Sequence, residues 1–86
     1  MYKLVFTRQA QKDAKKIKKS HLKPRAQAIL KVLRKNPFIN EPPFKKLVGE
    51  LLGVYSRRIN LKHRIIYQVY EKEKVVKVIR MWTHYE

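Results

Sequence analysis

Apolar positions along the chain fall into runs of two different periods, and the runs predict the elements. Residues 2–6, Tyr-Lys-Leu-Val-Phe, are rich in β-formers and read as a short strand. Thr7 then offers a helix N-cap, and Ala10, Ala14 and Ile17 recur at i, i+4 and i+7. A break at Ser20-His21, with His21 as a solvated capping residue, leads to a second helix with Pro24 in its first turn. Its apolar stripe is Leu22, Ala26, Ile29, Leu30 and Leu33, and Asn36-Pro37 stops it. Residues 37–46 hold three prolines and are expected as an ordered, irregular loop. Residues 47–52 fit no single element, with Gly49 and Gly53 marking bends. Three strand-like runs follow, at 54–60, 63–70 and 75–83, the last two joined by a turn at Glu71-Lys72-Glu73-Lys74. The order β-α-α-β-β-β predicts an α+β fold in which a two-helix hairpin covers one face of a mostly antiparallel sheet. Residues 1–86 are expected to form one domain.

The register of the first hairpin carries functional weight. If Asn60-Leu61-Lys62 is a three-residue loop, Ile59 pairs with His63 and Arg58 lies directly opposite Arg64. A two-residue loop, Leu61-Lys62, would put the two arginines on opposite faces instead. Like charges facing each other across a sheet are unfavourable, so the first register calls for an anionic ligand or a compensating acid. In that register Ile65, Tyr67 and Val69 face the helices, and Arg64, Ile66 and Gln68 line the other face.

Composition sharpens this. The chain of 86 residues has 22 Lys and Arg against six Asp and Glu, a formal net charge of +16 at pH 7. Such a surface favours phosphates through counterion release, or an acidic protein. With no cysteine there is neither a disulfide framework nor a thiolate metal site. The three histidines show no metal-ligand spacing. No apolar segment suits a signal peptide or a membrane span, so a cytoplasmic protein is expected. The tail Trp82-Thr83-His84-Tyr85-Glu86 adds a titratable imidazole and two aromatic rings, which suits a protein that does chemistry on RNA as well as holding it. Trp82 and Tyr85 can stack on bases, although a strand tryptophan serves equally well in a core. Arg57 and Arg58 alternate across their strand, so only one of them shares a face with Arg64, and Arg57 is expected as a stem packed along the sheet edge.

Three motifs in order, Tyr55-Ser56-Arg57-Arg58-Ile59, His63-Arg64-Ile65-Ile66-Tyr67 and Trp82-Thr83-His84-Tyr85, closely resemble the YoeB/Txe family within the RelE/ParE superfamily of toxin–antitoxin modules. The resemblance implies a ribosome-dependent, metal-independent endoribonuclease that cleaves mRNA and is silenced by an acidic antitoxin; it needs no cofactor and allows a homodimer. In that family the 2′-hydroxyl attacks the adjacent phosphate to give a 2′,3′-cyclic phosphate. Carried over by position, His84 is the acid, Arg64 neutralises the phosphate with support from Arg58, and Tyr85 positions the phosphate or leaving group. Lys46, Arg57 and Trp82 are the expected further RNA contacts. At the family's general-base position, normally glutamate, this chain has Lys45. Lys45 or Lys46 acting as base or activator, Glu50 taking the role, and an attenuated form that still binds the ribosome are the readings open at this point. A ParE-like protein acting on gyrase is the alternative from another class.

Overall fold

A computed structural model of the chain describes residues 1–46 and 53–83. Strand β1 (Lys3–Phe6) is followed by helices α1 (Arg8–Lys18) and α2 (Lys23–Lys35), then by β2 (Phe44–Lys46), β3 (Val54–Arg58), β4 (Arg64–Tyr70) and β5 (Val75–Thr83). The five strands form one sheet in the order β1-β5-β4-β3-β2. Only the β1–β5 pairing is parallel. The expected order therefore holds with one strand added. Residues 44–46, expected as loop, pair with β3 through Phe44↔Arg57, Lys45↔Ser56 and Lys46↔Tyr55. The strand runs expected at 54–60 and 63–70 are trimmed to Arg58 and Arg64, because Asn60 draws the connection into a loop. Its side-chain oxygen accepts from the Lys62 and His63 amides at 2.9 and 2.7 Å.

Thr7 caps α1 as its sequence position suggests, its hydroxyl oxygen accepting from the Ala10 amide at 3.0 Å. The same hydroxyl donates to the Ile79 carbonyl at 2.7 Å, so the cap also docks the helix on β5. At the helix–helix break His21 is exposed and caps nothing: Leu22 is the N-cap of α2, without a side-chain cap bond. The turn is tied by Ser20, whose Oγ donates to the Ile17 carbonyl at 2.8 Å and accepts from the Leu22 amide at 3.1 Å. Ala10 and Ile17 of α1, the α2 N-cap Leu22, and Ala26, Ile29 and Leu33 of α2 are buried in one cluster with Ile65, Tyr67, Val76 and Val78 of the sheet. No helix among the described residues is long and apolar enough to cross a membrane.

One member of the buried face of α1 is an acid. Asp13 is fully buried and accepts from Arg80 Nε (3.1 Å), the Met81 amide (3.0 Å) and Gln9 Nε2 (3.0 Å). Burial alone would raise its pKa. The bonds from Met81, Gln9 and Arg80, with a further one from Trp82, outweigh that and hold it below the ordinary 3.8. Asp13→Ala leaves the Met81 N–H buried and unpaired, and it is expected to cost about 2–4 kcal/mol in urea unfolding near neutral pH. Because the folded-state pKa is depressed, this contribution is complete well above pH 3.8 and fades as the pH falls below that value through the folded pKa. The gap between the two proteins should therefore close in acid.

Candidate functional site

The three-residue register is the one observed: Arg58 pairs with Arg64, and the Ile59 amide donates to the His63 carbonyl at 2.8 Å. Alternation then sorts β3 into two sets. Tyr55 and Arg57 sit opposite Tyr67 and Ile65 on the helix-facing side, and Ser56 and Arg58 sit opposite Ile66 and Arg64 on the other. Lys45, paired with Ser56, joins the second set from the edge strand. These side chains meet around a cavity of about 450 Å³ lined by Pro42, Pro43, Phe44, Lys45, Ser56, Arg58 and Arg64. Three cations thus surround one pocket on the open face of the sheet. The β4–β5 register shifts on both sides of Ile66, and such an irregularity beside Arg64 is a common way to aim a strand side chain. Arg58 and Pro42 also border an adjoining cavity with Arg25, Ile29 and Leu61.

Not every residue singled out in the sequence reaches this pocket. Lys46 is exposed but pairs with Tyr55, which puts it on the opposite face from Lys45. Arg57 corrects the expectation of an edge stem and an RNA contact: it is 1% exposed and lies inside the domain. Its Nε donates to Tyr67 Oη at 2.9 Å, and its two terminal nitrogens donate to the carbonyls of Pro37 (2.8 Å), Ile39 (2.6 Å) and Pro42. The guanidinium also stands 5.0 Å from the Phe44 ring centroid. Arg57 therefore holds the proline-rich segment against β3, and that segment supplies one wall of the pocket. Burial raises the Tyr67 pKa, with the opposing pull of Arg57 the smaller effect, so the phenol stays neutral and accepts from the guanidinium.

Trp82 is half-buried and packs on the core, with its ring centroid 4.1 Å from that of His63. His63 therefore braces the end of β5. Thr83, the last described residue of β5, is in register with Arg64. His84, Tyr85 and Glu50 lie outside the described residues. Among the described residues, no three of His, Cys, Asp and Glu gather where they could hold a metal ion.

A family model for the YoeB-like toxin of bacterial type II toxin–antitoxin systems matches residues 6–85. Among solved structures, a YoeB/ParE toxin from Agrobacterium tumefaciens is similar over 96% of this chain and 99% of its own, at 26% identity and a TM-score of 0.86. The YoeB–YefM complex from Staphylococcus aureus matches over 99% of both chains at 28% identity and a TM-score of 0.81. The YoeB dimer from the same organism matches over 98% of both, at 29% and 0.79. The DinJ–YafQ complex from E. coli matches at 18% identity with a TM-score of 0.78, a likeness of fold alone. No curated protein matches the sequence at a significant level.

Proposed function

Because the chain belongs to the YoeB family of toxins from bacterial type II toxin–antitoxin systems, we propose that it is a ribosome-dependent endoribonuclease that cuts mRNA and so inhibits translation. The observation that carries this reading is the convergence of Lys45, Arg58 and Arg64 on one pocket. In the proposed reaction the ribose 2′-oxygen bonds to phosphorus and the P–O5′ bond breaks, leaving a 2′,3′-cyclic phosphate and a 5′-hydroxyl. Arg64 and Arg58 stabilise the extra negative charge on the phosphoryl oxygens, work that in other nucleases falls to metal ions. No metal is needed here, since the arginines supply that charge. Lys45, in reach of the same cavity, takes the 2′-hydroxyl proton or lowers its cost by charge. His84 donates a proton to the leaving 5′-oxygen, and Tyr85 positions it.

Residues 1–86 act as one toxin domain in this account, and the place of action is the cytoplasm, where ribosomes are. The natural partner besides the ribosome is an acidic antitoxin that covers the basic surface and competes with RNA for the arginines. Relatives solved as a complex with YefM and as a dimer support both an antitoxin and a homodimer.

Two substitutions test the assignment. His84→Gln should relieve growth arrest and lower the cleavage rate by about 10²–10⁴, the usual effect of losing a positioned acid. Undiminished toxicity would remove His84 from the reaction. For Lys45→Glu, unchanged or slower cleavage is expected if the lysine belongs to the site. A large gain would instead identify the natural chain as an attenuated form that keeps the binding surface without the base. Inhibition of gyrase with ribosome-bound mRNA left intact would favour the ParE-like reading.

A further inference from the structure

The pocket holds one polar group that the reaction as described does not use. Ser56 sits between Lys45 of β2 and Ile66 of β4 on the pocket-facing side of the sheet. It lines the cavity, yet the residue is only 2% exposed. Its Oγ is buried and has no hydrogen-bond partner among the described residues. Ser56 is the one side chain so placed among them, in contrast to the neighbouring Arg57, whose every nitrogen is engaged. A buried hydroxyl left unpaired costs free energy, and an exception at the wall of a cavity is satisfied most directly by what enters the cavity. Of the surrounding groups, Arg58 and Arg64 are donors only, so the ligand that suits them is an anion rich in acceptor oxygens.

We propose that Ser56 is a substrate-contacting residue whose hydroxyl donates a hydrogen bond to a non-bridging oxygen of the phosphodiester held by Arg58 and Arg64. The inference rests on the reading of this pocket as an RNA phosphate site. A hydroxyl donating to a charged phosphate oxygen makes a short, charge-assisted bond. Long cationic side chains fix the position of a phosphate loosely, because their donors follow it. A short hydroxyl anchored in the middle of a sheet tells one non-bridging oxygen from the other.

The test uses the isolated chain and a non-cleavable 2′-deoxy dinucleotide with a single phosphodiester, titrated at low salt and followed by amide chemical shifts. Ser56→Ala should bind about tenfold more weakly, the range expected for one bond to a charged group. Ser56→Thr, which keeps the hydroxyl, should retain most of the affinity. The thermal midpoint of Ser56→Ala should stay level or rise slightly, since an unpaired buried hydroxyl has been removed. Phosphorothioate dinucleotides give a signature that a packing role would not move: the unaltered chain should prefer one diastereomer, and Ser56→Ala should lose the preference. Equal affinity and equal preference in both proteins would overturn the proposal. If Arg64→Ala weakens binding while Ser56→Ala does not, the phosphate pocket stands and Ser56 is excluded from it. If neither changes binding, the phosphate reading of the pocket fails and this inference fails with it. Shifts caused by an oligoglutamate peptide but not by the dinucleotide would assign the hydroxyl to a carboxylate partner and overturn it as well.

Discussion

Arg64→Ala is expected to slow cleavage of ribosome-bound mRNA by about 10²- to 10³-fold while leaving the far-ultraviolet dichroism of the chain unchanged. The magnitude is that of removing one preorganised donor aimed at charge that develops in the transition state. The position explains why this arginine should matter most. Arg64 opens β4, is half-buried, and has Arg58 as its partner on β3 and Thr83 as its partner on β5. Arg58, by contrast, is exposed, so its alanine variant should lose about tenfold, a share nearer that of a solvent-screened charge. Lysine is not expected to restore Arg64, since a single ammonium cannot present the planar pair of donors that grips two phosphoryl oxygens. Single-turnover cleavage rates for the three variants check the order.

The second large effect concerns stability. Arg57→Ala is expected to remove a large share of the protein's stability and, at the lower end of the usual range, to leave it unfolded. A domain of this size holds about 4–13 kcal/mol at the usual 0.05–0.15 kcal/mol per residue. Removing one partner from a buried charged network typically costs about 3–5 kcal/mol. Here the loss orphans the carbonyls of Pro37, Ile39 and Pro42 together with Tyr67 Oη. Arg57→Lys should recover little, because acceptors spread over a strand and two parts of a loop need the guanidinium fork. Urea titration of Arg57→Lys, and the soluble yield of Arg57→Ala, measure the effect. Unfolding curves that superimpose on that of the unaltered chain would show that the loop is held by something else. Because Pro42 and Pro43 form a wall of the pocket, a folded Arg57 variant should also cleave poorly, an effect easily mistaken for a direct role in RNA binding.

What could be read from the sequence divides along physical lines. The facing arginines were legible as one of two registers, since strand alternation fixes the faces once the loop length is known, and the structure selects the three-residue loop. The helices were legible for the same reason of period, down to the Thr7 cap and Pro24. Strand β2 was not: Phe44-Lys45-Lys46 is three residues long, follows two prolines and shows no alternation, so its extended state comes from pairing with β3. Arg57 was misplaced because one more arginine in a chain of charge +16 reads as surface. Its alternation with Tyr55 was the available signal, since it shares that residue's inward face. Asp13 was passed over on a helix crowded with lysines, yet it lies three residues from Ala10 and four from Ile17, squarely on the buried stripe. In both cases a charged side chain occupies an apolar position in the pattern. That conflict itself marks a buried network.

The measurement that bears most directly on the central claim is a toeprint of mRNA on programmed ribosomes with the unaltered chain, run beside the same mRNA without ribosomes and beside Arg64→Ala. The account predicts a discrete cut in the ribosome-bound message, with a 2′,3′-cyclic phosphate at the new end, no cut in the free message, and none with Arg64→Ala on the same timescale. An intact message on the ribosome with the unaltered chain, or cleavage that persists in Arg64→Ala, would contradict it.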